Sequence, residues 1–321
     1  MSDVYVHTIA PMGTVVTIQV VGNGEDDEQR ARRADGVFRA AGWFESVEQC
    51  CSRFDPASEL RRLSATVGSP VRVSQMLFEA IRFALAVAED TDGAFDPTIG
   101  RKMESRGFDR DYRTVLASGS GRTGLASGSG RTGLASGSGI LPDDEVSWRD
   151  VRLDRDAMTV TLLKPLVLDL GAVAKGLAVD VAARELSPFE NFAVDAGGDL
   201  YLGGRNAEGA PWSVGIRHPR EESLIETLRV SNTAVCTSGD YQKRSPNDES
   251  VHHIMDARTG ETAAQLASVT VLAPSAMVAD AFATAAFALG RDDGLRFLER
   301  HGVRGLLVTP ELERFETAGF A

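Results

Sequence analysis

Ser275-Ala-Met-Val-Ala-Asp-Ala-Phe-Ala-Thr-Ala-Ala-Phe-Ala-Leu-Gly290 is apolar at almost every position except Asp280 and Thr284. A run this long and this apolar reads as a buried helix. The two polar residues stand four apart, so they share one face. Burying a carboxylate without a partner costs several kcal/mol or forces its protonation, so Asp280 must meet a cation or a network of donors. Two occupants of that face are open: a hard divalent ion held by the oxygens of Asp280 and Thr284, or a closed side-chain network such as Thr bonded to its i−4 carbonyl.

Working outward, Ala267 to Leu272 precedes this helix as a strand, and the chain ends helix, helix, strand, strand. At the other end, alternation predicts strands at Val4 to Ile9 and Val15 to Val21, broken by Pro11-Met12-Gly13. Ala31, Ala34, Val37, Phe38, Ala41, Phe44 and Val47 follow helical spacing between Glu28 and Cys50, with a connecting turn at Asn23 to Asp27. Ser74 caps a second helix running through Ala88. Val146 to Leu153, Met158 to Leu163 and Leu166 to Leu170 read as a short antiparallel series, followed by a helix from Ala172 to Leu186. Strands follow at Phe192 to Asp195, Leu200 to Leu202, Trp212 to Ile216 and Leu224 to Val230. Long helices beside mostly antiparallel strands, without regular strand-helix alternation, predict an α+β fold with packed helices.

One stretch stands apart. Residues 116–139 repeat Leu-Ala-Ser-Gly-Ser-Gly-Arg-Thr-Gly twice and begin it a third time. Such Gly and Ser content cannot repay the entropy of ordering, so the expectation is a mobile surface insert in a single domain spanning 1–321. Its Gly119-Ser-Gly121-Arg-Thr-Gly124 matches a dinucleotide-binding glycine pattern, but no strand precedes it and no helix follows, so the match is rejected.

The chain of 321 residues is 43% hydrophobic and 25% charged, the make-up of an ordinary globular protein able to bury a large core. A formal charge of −12, from 46 acids and 34 bases, argues against a surface that neutralises nucleic-acid phosphates. No apolar run reaches membrane-spanning length, since Leu166 to Ala183 carries Asp169, Lys175 and Asp180. Met1-Ser-Asp-Val-Tyr-Val-His-Thr has no basic start and apolar stretch, which predicts a cytoplasmic protein. Cys50, Cys51 and Cys236 are an odd set without zinc spacing, as expected of free thiols in a reducing compartment.

Besides Asp280 and Thr284, three segments concentrate polar groups. In Phe95-Asp-Pro-Thr-Ile-Gly100, Asp96 stands before a proline, either as a capped turn or as a ligand contact. Asp169-Leu-Gly-Ala-Val-Ala-Lys-Gly176 sets small residues at a helix start, whose N–H groups suit phosphate; tight strand-to-helix packing serves the same residues. Lys175 suits either a phosphate contact or a salt bridge to Asp169 or Asp180. In Val251-His-His-Ile-Met-Asp-Ala-Arg-Thr-Gly260, His253 is either a base for an attacking hydroxyl or a hydrogen-bonded structural imidazole, with His252 on the opposite face.

Taken in order, these segments resemble the FAD:protein FMN transferases, the ApbE-like flavin transferases. Met12-Gly-Thr14, Phe54-Asp-Pro-Ala-Ser-Glu-Leu-Arg61, the Asp96 turn, Asp169 to Asp180, Asp195-Ala-Gly-Gly-Asp199, Thr237-Ser-Gly239, His253 to Gly260 and Ser268-Val-Thr through Thr284 carry the likeness. It spans nearly the whole chain outside 116–139. The resemblance implies an ApbE-like, T-fold-like architecture and a magnesium ion held by the Ala174 carbonyl, Asp280 and Thr284, an all-oxygen set. It implies FAD contacts at Met12, Glu59, Leu60, Arg61, Asp96, Gly171, Leu177 and Met255, and His253 as the catalytic group. The implied reaction moves FMN from FAD to a Thr or Ser hydroxyl of an acceptor protein and releases AMP. Two alternatives share the residues: an FAD pyrophosphatase, with water as nucleophile, and a non-catalytic flavin-binding protein. Two departures from the family pattern are Ala257 where a proline is frequent, and an amino terminus without a lipid-attachment cysteine.

Overall fold

The computed structural model describes residues 3–22, 26–108, 146–248 and 250–320. The 116–139 repeat and most of the Asn23 to Asp27 turn lie outside the described residues. In chain order the elements are β1 (Asp3–Ile9), β2 (Val16–Gly22), α1 (Asp27–Cys51), α2 (Glu59–Ser64), β3 (Val71–Arg72), α3 (Gln75–Asp90) and α4 (Gly100–Ser105). After the insert come β4 (Val151–Asp154), β5 (Thr159–Leu162), α5 (Gly171–Glu185), β6 (Phe192–Ala196), β7 (Leu200–Gly203), β8 (Trp212–Arg217), β9 (Leu224–Val230) and β10 (Thr233–Gly239). The last third holds β11 (Met255–Asp256), β12 (Glu261–Thr262), β13 (Ser268–Ala273), α6 (Ala276–Leu289), α7 (Arg291–Arg300), β14 (Arg304–Val308) and β15 (Arg314–Glu316).

The centre is an eight-stranded sheet in the order β1-β2-β6-β7-β10-β13-β14-β15. Every neighbouring pair in it is antiparallel. The molecule is thus an α+β protein, as the mix of long helices and antiparallel strands foretold.

Both faces of this sheet are covered, and the side-chain period of two sorts residues between them. Val16, Ile18, Val20, Phe192, Val194, Ala234, Cys236, Val269 and Val271 join the helices in the larger core. Ala193, Leu202, Val235, Leu272, Leu306 and Val308 point the other way, against Val214, Ile216, Leu228 and Val230 of the β8–β9 hairpin. α6 lies on the helical face with Phe287 fully buried, and its alanines let it approach α5 and β10 closely. Burying a side chain as large as Phe287 stabilises the fold by roughly 1.5–3 kcal/mol.

Three local expectations are corrected. Leu166 to Leu170 is not a strand: it buries Leu166, Leu168 and Leu170 in alternation but pairs only at Val167, in an isolated parallel bridge to Ile99. Val146 to Asp150 is not a strand either, since Trp148–Asp150 is one 3-10 turn. Conversely, Thr233–Gly239, given no strand from sequence, is a central strand of the sheet. α1, α3 and α5 lie within two residues of their expected limits, and Ser74 is the N-cap of α3, accepting from Leu77 N.

Candidate active site

α5 and α6 cross at Gly176. A Cβ there would stand 2.4 Å from the Ala276 carbonyl oxygen and 2.6 Å from Met277 Cα, so only glycine permits the approach. One turn along α5, Asp180 secures the start of α6. Its carboxylate accepts from Ser275 Oγ at 2.6 Å, Ala276 N at 2.6 Å and Met277 N at 3.0 Å. Burial holds the Asp180 carboxyl above its ordinary range, and these three donors offset only part of that rise. Asp180 therefore serves as a helix cap and is not the partner of Lys175.

This crossing brings Asp280 over the first turns of α5. Asp280 is 4% exposed and accepts the Gly176 N–H at 3.2 Å. In a regular helix that N–H serves the Ala172 carbonyl, so Ala172 shares its donor beside the carboxylate. Ala174, named from sequence, is buried in the same turn with its own N–H on the Leu170 carbonyl at 2.8 Å. Lys175 Nζ donates to Asp199 Oδ2 and lies 4.0 Å from Asp280 Oδ1. Its expected partners are both occupied elsewhere, Asp180 by the α6 cap and Asp169 by Arg53 at 2.8 Å. Thr284 follows Asp280 by one turn and shares a hydrogen bond of 3.0 Å with Ser238 Oγ of β10.

A buried carboxylate with one backbone donor and an ammonium at 4.0 Å is short of partners for its four lone-pair sites. The Asp280 carboxylate and the Thr284 hydroxyl, one helical turn apart, are oxygen donors of the kind a hard divalent cation takes. The residues fit magnesium. No cluster of three His, Cys, Asp or Glu occurs among the described residues.

A second group adjoins the start of α5. Asp96 is buried; its Oδ1 accepts from Thr98 N at 2.8 Å and Thr98 Oγ1 at 2.7 Å, and its Oδ2 from Trp148 N at 2.9 Å. Burial holds this carboxyl's proton affinity above its ordinary range, and the three donors offset only part of the rise. The Asp96 turn is docked by Asp169 N on the Pro97 carbonyl at 2.7 Å and by Gly100 pressed on Val167. Asp169 Oδ1 in turn accepts from Gly171 N at 2.8 Å, fixing the helix entry.

The histidine segment joins from the other side, with Ala257 N on the Ala94 carbonyl at 3.0 Å. His253 Nδ1 is 3.3 Å from the Lys243 carbonyl. A carbonyl only accepts, so Nδ1 carries the proton and the Nε2 lone pair is left available. Burial, with the positive charge of Lys243 and Lys175 behind it, lowers the imidazole's pKa to about 3, so it is neutral at neutral pH. His252 differs: it is 5% exposed, its Nε2 meets the Ala263 carbonyl at 2.9 Å, its Nδ1 accepts from Ile254 N, and its ring packs edge-on to Phe287. That imidazole is structural.

The remaining expected contacts divide. Met12 sits at φ +52 in the Pro11–Thr14 turn, and Thr14 closes on Gly197, where a Cβ would meet Thr14 Oγ1 at 2.0 Å. This places Met12 beside the Asp195–Asp199 loop that supplies Asp199. Leu177 is partly buried against the core, and Met255 is buried on β11. Glu59 instead takes Ser74 N and Ser74 Oγ, both at 2.6 Å, and Leu60 is wholly buried. Arg61 lies 3.8 Å from Glu104, which also faces Arg53 at 3.9 Å. Asp199, Ser238 and Arg53 were absent from the expected set; the motifs around Asp199 and Ser238 were legible, their pairings were not.

The family model described as ApbE family matches residues 12–307. A FAD:protein FMN transferase of Haemophilus influenzae is 29% identical over 312 residues, 92% of this chain and 84% of that protein. One from Treponema pallidum is 32% identical over 294 residues, 82% of this chain and 74% of that protein. Among solved structures, the ApbE protein of Thermotoga maritima superposes with a TM-score of 0.80 at 28% identity, over 99% of this chain and 98% of that one. The flavin transferase ApbE of Vibrio cholerae, at 24% identity and TM-score 0.78 over 100% of this chain and 99% of that one, shares the fold. With a family match across nearly its whole length and a relative 32% identical over most of it, the chain belongs to the ApbE family.

Proposed function

We propose that this protein is a magnesium-dependent FAD:protein FMN transferase, moving the FMN moiety of FAD to a Thr or Ser hydroxyl of an acceptor protein and releasing AMP. The observation that carries it is the buried Asp280 carboxylate, one turn from Thr284 and facing the Lys175 ammonium, with too few donors of its own. Relatives named FAD:protein FMN transferase along most of the chain support the substrate assignment.

Asp280, Thr284 and the main-chain carbonyl of Ala174 would hold the magnesium. When bound, the ion neutralises charge on the pyrophosphate as the bond to AMP loosens. Lys175 adds a positive charge beside the phosphates, which an acidic protein needs at the point of transfer. The N–H groups at the start of α5 face the same anion. His253 Nε2 takes the proton of the attacking hydroxyl, whose oxygen bonds to the FMN phosphorus while the P–O bond to AMP breaks. The Lys243 carbonyl fixes the tautomer that makes Nε2 the base. Asp96, Gly171, Leu177, Met12 and Met255 form the flavin-binding side, with Arg61 at its edge. The Glu59 and Leu60 side chains are engaged in packing, so their contribution is through the backbone of that turn.

The test is AMP release from FAD and magnesium, with and without a threonine-bearing acceptor protein, followed by intact mass of the acceptor. Transfer requires stoichiometric AMP only when acceptor is present, with the acceptor gaining the mass of FMN less water. Rapid AMP release without acceptor would make the protein a pyrophosphatase. Retained activity in Asp280→Ala would remove Asp280 from the metal site.

A further inference from the structure

We propose that Asp199 is a positioning residue that holds the Lys175 ammonium off Asp280 and so keeps that carboxylate open to a divalent cation. This rests on the assignment of Asp280 as a metal ligand made above.

Two buried carboxylates compete for one ammonium. Asp199 is 3% exposed and Asp280 is 4% exposed, and Lys175 Nζ lies between them. It is hydrogen-bonded to Asp199 and 4.0 Å from Asp280. Lysine ends in a compact charge on a flexible stem, so the Asp280 carboxylate is within reach of small torsional changes. What decides the position is the rigidity of the acceptor. Asp199 closes a tight loop in which Ala196 N donates to the Asp199 carbonyl at 2.9 Å and Gly198 N to Asp195 Oδ1 at 2.9 Å. Gly197, at φ +68, presses that loop onto Thr14. The carboxylate is thereby presented to Lys175 from the sheet side.

Without Asp199 the ammonium has one strong acceptor left. It would pair with Asp280 directly, a buried ion pair that an incoming cation must break. With Asp199 present, the ammonium is neutralised elsewhere and Asp280 retains unused lone pairs. Charge agrees: Asp199 and Asp280 together exceed Lys175 by one negative charge, which a cation bound at Asp280 would meet.

The experiment titrates Mn2+ alone into the full chain, reading free Mn2+ by electron paramagnetic resonance, since manganese takes the same oxygen ligands as magnesium. Five proteins are compared: the parent, Asp199→Asn, Lys175→Met, the double variant and Asp280→Ala. Loss of an outer partner should weaken Mn2+ binding by about 10- to 100-fold in Asp199→Asn. In the Lys175→Met background the same change should move affinity by no more than about twofold, because the competitor is gone. Lys175→Met alone should bind Mn2+ at least as tightly as the parent. No effect of Asp199→Asn, or an equal loss in both backgrounds, would overturn the proposal. If Asp199→Asn does not fold, weaker binding by Lys175→Met overturns it instead. Parent-like binding by Asp280→Ala would show that the metal assignment itself is wrong, a failure distinct from the other three.

Discussion

Replacing Gly176 with Ala adds one methyl group where α5 meets α6, and the structure sets its cost. The new Cβ would stand 2.4 Å from a carbonyl oxygen and 2.6 Å from a Cα, both backbone atoms that cannot rotate away. The helices must separate, which belongs at the upper end of overpacking penalties, about 3 kcal/mol. Alanine returns about 1 kcal/mol through helix propensity, leaving a net loss of about 2 kcal/mol. At about 2–4 °C per kcal/mol for a protein this large, the melting temperature should fall by about 4–8 °C. Gly42→Ala is the matched control. Gly42 also lies inside a long helix but has nothing within 4 Å of its Cβ position, so the propensity gain of about 1 kcal/mol should stand alone. Scanning calorimetry and urea denaturation of both variants decide the matter. If Gly176→Ala melts at or above the parent, α5 and α6 do not cross as described, and the meeting of Asp280 with the first turns of α5 has no structural basis.

The pH dependence of stability carries the signature of His253. Its folded pKa, about 3, lies below the ordinary 6.5, so the unfolded chain binds the extra proton between those values and stability must fall as pH drops from 6.5 toward 3. His253→Gln should flatten that decline in denaturation curves while abolishing AMP release at every pH; an unchanged slope would contradict the neutral imidazole. Asp180→Ala strands three donors at the start of α6 and should cost about 1–3 kcal/mol by urea denaturation, whereas a loss under 0.5 kcal/mol, about the scatter of ordinary surface changes, would deny the cap. Thr284→Val keeps shape but removes the hydroxyl shared with Ser238. It should weaken Mn2+ binding in the same resonance titration, and parent-like affinity would exclude Thr284 as a ligand.

Much of the fold was legible because one physical signal dominated each stretch. α1 and α3 bury a single stripe, and β2 alternates from Val16 to Val20, so periodicity identified them. Thr233–Gly239 escaped because it is covered on both faces, by α6 on one and the β8–β9 hairpin on the other, and alternation is erased when both sides are buried. The Leu166 to Leu170 segment failed in the opposite sense. Its alternating burial is real, but it runs beside Ile99 with a single bridge and makes no ladder, and burial pattern does not report pairing.

The same division runs through the site. Asp280 and Thr284 were legible as a pair since four residues along a helix is a fixed distance. Lys175 was assigned acidic neighbours six and five residues away, yet its partner, Asp199, arrives from the far end of a strand. Near residues lost because their acceptors were needed elsewhere: Asp169 by Arg53 and the Gly171 N–H, and Asp180 by the start of α6. Glu59 was similarly taken up by Ser74 at the start of α3. Carboxylates in this chain thus serve two purposes that sequence does not separate, capping helices and facing the site. What separates them is donor supply. Asp96 and Asp180 each hold three hydrogen-bonding donors and Asp169 holds two, whereas Asp280 has one N–H and an ammonium held off by another acid. Asp199 and Asp280, the two buried acids that share the Lys175 ammonium, are left short of donors, and Asp280, one turn from the Thr284 hydroxyl, is the place to expect a cation.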